Sequence, residues 1–184
     1  MRRIEVERPT TWVALTGFMG VGKTRIGREL AKELMLHFVD LDRLIERETG
    51  LAIPDIFRYL GEDYFRKLER EAVQELVGKD YLVVSLGGGT FIDEENRKLL
   101  LARGPVVALW ARPETILERV QRRPGKRPLL AGGDPLERIR KLLEEREALY
   151  REAPIHVESE GRSPKETAEA IVQELWRWRE AQGA

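Results

Sequence analysis

Gly17-Phe18-Met19-Gly20-Val21-Gly22-Lys23-Thr24 fits the spacing G-x-x-x-x-G-K-[ST] without exception. The octet joins two stretches of different period. Before it, Trp12-Val13-Ala14-Leu15-Thr16 is an apolar run of strand length. After it, Ile26, Leu30 and Leu34 recur every fourth residue, the period of a helix from Thr24 to Leu36. A strand, a glycine loop and a helix in that order turn successive backbone N–H groups toward phosphate oxygens and add the positive end of the helix. Gly20, Val21 and Gly22 then offer amides. Lys23 reaches the β- and γ-phosphates, and the Thr24 hydroxyl becomes a ligand for Mg²⁺. Arg25 follows in the first helical turn. A glycine turn matching by chance would lack the flanking strand and helix.

The same alternation continues outward. Strands are expected at 37–40, 81–85, 106–110 and 155–157, each apolar and short. Helices are expected at 42–50, 54–60, 62–77, 93–103, 113–120, 135–152 and 164–180. The helix at 62–77 carries Phe65, Leu68, Ala72 and Leu76 on one side. Strands alternating with helices predict an α/β fold, a parallel sheet covered by helices on two faces. Ligands in such sheets bind beyond the carboxyl ends of the strands, so the chemistry is expected from residues just after each strand.

The chain has 184 residues, a length that suits one domain, and 42% are hydrophobic against 35% charged. Its 32 Lys+Arg equal its 32 Asp+Glu, which argues against a dedicated nucleic-acid binder. It has no cysteine, so disulfides, thiolate catalysis and Cys-bound metals are excluded. The polar N-terminus has no signal-peptide core, and no apolar run approaches the ~20 residues that span a bilayer. A cytoplasmic protein without nucleic-acid or membrane partners is expected.

Several residues beyond the phosphate loop carry candidate chemistry. Asp40 and Asp42 lie two apart at the end of the second strand, beside the phosphate loop. Asp40 suits the water shell of Mg²⁺, and Asp42 suits an acceptor hydroxyl that must be held or deprotonated. The competing reading makes Asp42 only a helix cap. Arg146 interrupts the stripe Leu136, Ile139, Leu143, Tyr150. It either grips an anion or pairs with Glu144 or Glu147. Arg66 and Glu69 lie three apart on one helix, the spacing of a surface ion pair or of an arginine oriented toward a ligand. Gly87-Gly88-Gly89 admits close approach to the backbone. Arg122, Arg123, Lys126 and Arg127 crowd a Pro/Gly-rich loop at 121–134, which reads as a lid over ATP or as a solvated charged loop.

The ordered set resembles the shikimate kinase family over about residues 10–180. It comprises the phosphate loop, Asp40-Leu-Asp42, Ile53-Pro-Asp-Ile-Phe57, Gly61-Glu62, Phe65-Arg66-Lys-Leu-Glu69, the glycine triplet, Arg127-Pro-Leu-Leu130 and Arg146-x-x-x-Tyr150. The resemblance implies a three-layer α/β/α sandwich of the P-loop nucleoside-monophosphate-kinase type, with a five-stranded sheet in the order 2-3-1-4-5. It implies a single kinase domain at 1–184, with an acceptor-binding segment at 42–78 and a lid at 121–134. The implied reaction is transfer of the γ-phosphate of ATP to shikimate, with Mg²⁺, by a monomer. Arg66 and Arg146 would hold the shikimate carboxylate, and Asp42 and Gly88 the ring hydroxyls. Phe57 and Phe65 would pack around the ring. Arg127 would close on the phosphates, and Lys23, Asp42 and Arg127 would be catalytic. Arg122 or Arg123 would sandwich adenine with Pro164, and Arg162 would join the nucleotide contacts. Arg25 departs from the family, which often has a small hydroxyl residue there. The competing readings are a related kinase for gluconate or a nucleoside monophosphate, and a nucleotide-binding switch without metabolite chemistry.

Overall fold

The computed structural model describes residues 7–122 and 133–183. Five parallel strands form one sheet in the order β2-β3-β1-β4-β5. They are β1 (Trp12–Thr16), β2 (His37–Asp40), β3 (Leu82–Ser85), β4 (Val106–Trp110) and β5 (Ile155–Glu158). The helices between them are α1 (Lys23–Leu34), α2 (Leu41–Thr49), α3 (Ile53–Tyr59), α4 (Glu62–Val77), α5 (Glu94–Arg103), α6 (Pro113–Gln121), α7 (Pro135–Tyr150) and α8 (Pro164–Ala181). The result is the expected three-layer α/β/α architecture. Helix α1 packs on α8, α4 on α5, and α6 on α7.

The three central strands are almost wholly buried, which explains why they read as continuous apolar runs. The edge strands differ. β5 alternates buried and exposed residues, and β2 is only half-buried. Beneath the sheet, the Trp12 indole Nε1 donates to Leu76 O at 3.2 Å, so even the largest core side chain has its polar atom satisfied.

Element ends move where the backbone turns left-handed. Met35 adopts φ 51°, which stops α1 before Leu36. Tyr81 adopts φ 62°, so β3 begins one residue later than its apolar pattern suggests. The expected loop at 121–134 is shorter at both ends. Helix α6 continues to Gln121, and Asp134 caps α7 through Leu136 N. Arg123, Lys126, Arg127 and the Arg127–Leu130 motif lie outside the described residues.

Candidate active site

The phosphate loop leaves the carboxyl end of β1 against β4. Gly17 has φ 132°, and a Cβ there would stand 2.5 Å from Leu109 O. Any side chain at Gly17 would push the loop off the sheet. Lys23 crosses the loop, its Nζ donating to Gly17 O at 2.7 Å and Phe18 O at 3.1 Å. Residues 20–25 all line a cleft of about 650 Å³. Its other walls include Asp40, Asp42, Glu46, Gly88, Arg119, Arg122, Arg162 and Pro164. Gly20, Val21, Gly22, Lys23, Thr24, Arg25 and Arg162 thus share one space.

Asp40 does two jobs. Its Oδ2 accepts from Thr24 Oγ1 at 2.7 Å, and its Oδ1 accepts from Arg43 N at 3.3 Å. The helix cap is therefore Asp40, one residue before α2, and Asp42 lies inside the first turn. That overturns the reading of Asp42 as a cap. Its carboxyl is pushed up to about 6, chiefly by burial and then by the negative field of Asp40, with Glu69 and Glu46 adding and Lys23 opposing. A carboxylate poised so close to neutral pH is suited to proton transfer.

Across from the loop, the triplet Gly87–Gly89 organises the other candidates. Glu69 is 1% exposed. Its Oε2 accepts from Arg66 Nη1 at 2.7 Å, and its Oε1 from Thr90 Oγ1 at 2.6 Å. The Arg66–Glu69 spacing is thus no solvated surface pair, because one partner is buried and doubly bonded. A Cβ at Gly87 would lie 2.7 Å from Asp42 Oδ1 and 3.1 Å from Glu69 Oε1. One at Gly89 would lie 2.8 Å from Arg66 Nη1. The turn is glycine because side chains from two helices press on its backbone.

Arg146 also reaches this turn. Its Nη1 donates to Gly88 O at 3.2 Å, and its guanidinium stands 5.7 Å from the Phe18 ring centroid. Tyr150 OH donates to the same carbonyl at 2.8 Å. Burial raises the Tyr150 pKa, which keeps that proton in place, although Arg146 opposes the shift. The competing reading, Arg146 paired with Glu144 or Glu147, is not what its guanidinium does, and Glu147 bonds Arg151 instead. Arg66 and Arg146 are not among the residues lining the 650 Å³ cleft. Both converge on the glycine turn at its margin. Phe57 and Phe65 pack together, with ring centroids 4.8 Å apart, and the Arg66 guanidinium stands 5.4 Å from the Phe65 centroid.

A phosphate loop thus faces a turn that gathers Asp42, Arg66 and Arg146. The sequence matches the family model "Shikimate kinase" over residues 19–176. This chain belongs to the shikimate kinase family. It is 68% identical to a shikimate kinase of Thermus thermophilus, with 100% of both chains covered. It is 58% identical to one from Deinococcus radiodurans, covering 97% of this chain and 90% of that one. Among solved structures, shikimate kinase from Acinetobacter baumannii in complex with shikimate superposes with a TM-score of 0.85 at 38% identity, covering 91% and 94% of the two chains. A gluconokinase from Sinorhizobium meliloti shares the fold, at a TM-score of 0.61 and 17% identity, covering 96% and 97% of the two chains.

Three residues of this family member escaped the sequence reading. Arg119 donates to Val21 O and Ser159 Oγ, both at 3.0 Å, and ties the phosphate loop to the end of β5. Thr90 fixes Glu69. Glu46 accepts from Ile53 N at 3.1 Å and pairs with Arg43 at 3.0 Å, linking α2 to the start of α3. Each partnership except Glu46–Arg43 joins residues from different parts of the chain, 7 to 98 positions apart, so no helical or strand spacing announces it. Arg122, one of the two arginines expected near adenine, lines the cleft, and its guanidinium pairs with Glu118.

Proposed function

We propose that this protein transfers the γ-phosphate of ATP to the 3-hydroxyl of shikimate, giving shikimate 3-phosphate and ADP, a step of aromatic amino-acid biosynthesis. One observation carries the reading. The glycine turn brings Asp42, Arg66 and Arg146 together opposite the phosphate loop, so a carboxylate-bearing polyol held on that turn would present a hydroxyl toward a bound triphosphate.

The residues fit Mg²⁺. A hard cation bound through phosphates needs few protein oxygens, and the adjacent Thr24 hydroxyl and Asp40 carboxylate supply them. Bound there, Mg²⁺ would neutralise charge shared between the β- and γ-phosphates. The amides of residues 20–24 hold the triphosphate, and Lys23 turns from the loop carbonyls to the phosphate oxygens. Asp42 aligns the attacking hydroxyl and takes its proton. Arg66 and Arg146 hold the carboxylate. Arg119, Arg122, Arg162 and Pro164 receive the nucleoside end. Arg127, in the lid proposed between α6 and α7, completes charge neutralisation. In such transfers, positioning and electrostatics outweigh covalent chemistry. The proposed unit is a monomer of one domain that works in the cytoplasm. No helix among the described residues is long and apolar enough to cross a membrane.

An ADP-release assay with shikimate, gluconate and nucleoside monophosphates as acceptors tests the proposal. Shikimate alone should stimulate turnover strongly. Equal or greater stimulation by gluconate or a nucleotide would overturn the acceptor assignment. ATP binding without stimulation by any acceptor would favour a switch module.

A further inference from the structure

The geometry points to Glu62 as an internal substitute for the acceptor's carboxylate, seated on Arg66 and displaced when the acceptor binds. This rests on the reading that Arg66 receives that carboxylate.

A guanidinium offers a carboxylate two paired-donor edges, Nη1 with Nη2 and Nε with Nη2. The protein closes the first. Nη1 is bonded to Glu69 Oε2 at 2.7 Å, and a Cβ on Gly89 would lie 2.8 Å from Nη1 and 3.2 Å from Nη2. Only the second edge remains for an incoming ligand. There Arg66 Nε and Nη2 both donate to Glu62 Oε1, at 3.3 and 3.0 Å. The edge that would take a carboxylate already holds one.

The two acids on Arg66 differ in how firmly they are placed. Glu69 is buried and is also held by Thr90. The Glu62 side chain is 63% exposed. It sits in the first turn of α4, where a carboxylate remains favourable beside the helix N-terminus after it lets go of Arg66. An exposed pair four residues apart on a helix is weak and therefore easily displaced. Arg66 is meanwhile oriented by Glu69 and by its packing on Gly89, so Glu62 is redundant for orientation. Its remaining effect is competition. A neutral ligand does not contend for that edge, so the contact opposes only acceptors that bring a carboxylate to it.

Titration calorimetry at low ionic strength tests this with shikimate and its neutral methyl ester. The full-length parent, Glu62→Gln, Arg66→Ala and the double variant are compared. Glu62→Gln should tighten shikimate by about two- to fivefold, the worth of an exposed pair, and leave the ester unchanged. Arg66→Ala should weaken shikimate, and adding Glu62→Gln to it should recover nothing. Weaker or unchanged binding by Glu62→Gln, while Arg66→Ala weakens it, overturns the competition alone and leaves the carboxylate assignment standing. A gain that persists in the Arg66→Ala background or with the ester also overturns it, since it would reflect general charge. If Arg66→Ala leaves shikimate affinity unmoved, the assignment of Arg66 falls, and the competition with it.

Discussion

At the phosphate loop the proposed binding groups are amides of neighbouring residues, 20 to 24, set by one strand–loop–helix unit. Across the cleft Asp42, Arg66 and Arg146 come from α2, α4 and α7, and meet only because the glycine turn after β3 lets them. The first half is local and made of backbone. The second is assembled at long range from side chains, two of them resting on the buried Glu69–Thr90 bond and the Gly88 carbonyl. Phosphate binding should therefore tolerate loss of single side chains on the acceptor side, while acceptor binding and catalysis should not.

The largest effect is expected at Asp42. Asp42→Asn should lower kcat by about 10²–10⁴-fold, the usual worth of a positioned general base, with ATP affinity nearly unchanged. A variant within a few-fold of the parent would remove Asp42 from its role. The same group sets a pH limit. Its folded-state pKa of about 6 lies above the ordinary 3.8, so the active, ionised form is lost as pH falls through about 6. The acid limb of kcat/KM should lie near that pH and vanish in the residual activity of Asp42→Asn. Stability runs the other way. A raised carboxyl pKa stabilises the fold at low pH, and that contribution is lost as pH rises through about 6. Asp42→Asn should therefore raise Tm at pH 8, and an unchanged or lower Tm would mean that burial of the charge is not costly.

Next come the arginines. Arg66→Ala or Arg146→Ala should each weaken shikimate by about 1.5–3 kcal/mol, the range for a hydrogen bond to a charged group, and leave ATP within about twofold. Equal weakening of both ligands would erase the distinction between the two halves. A smaller change is expected one step back. Thr90→Val keeps the shape but removes a bond to Glu69 worth about 1–2 kcal/mol. It should raise the shikimate KM several-fold, leave the ATP KM alone, and be rescued by Thr90→Ser. Equal effects of Val and Ser would reduce Thr90 to packing.

That division also governs what the sequence made legible. The octet 17–24 declared its chemistry because its geometry is contiguous. Asp40 and Asp42 were readable as a pair, but not which one caps α2, since that depends on one residue of helix register. Arg146 stood out as a cation in an apolar stripe, yet its partner Gly88 lies 58 residues away. Arg66 and Glu69 had the spacing of an ordinary surface pair, and only burial, which spacing does not encode, separates the two cases. Arg119 gave no signal, because its partner Val21 is 98 residues away and its own helix offers no anomaly.

The most direct test is a crystal of the enzyme with ADP and shikimate bound together. The account predicts the carboxylate on Arg66 and Arg146, a ring hydroxyl on Asp42 facing the vacant γ-position, and Glu62 swung away. A carboxylate bound elsewhere, with Arg66 still on Glu62 and Arg146 still on Gly88 O, would contradict it.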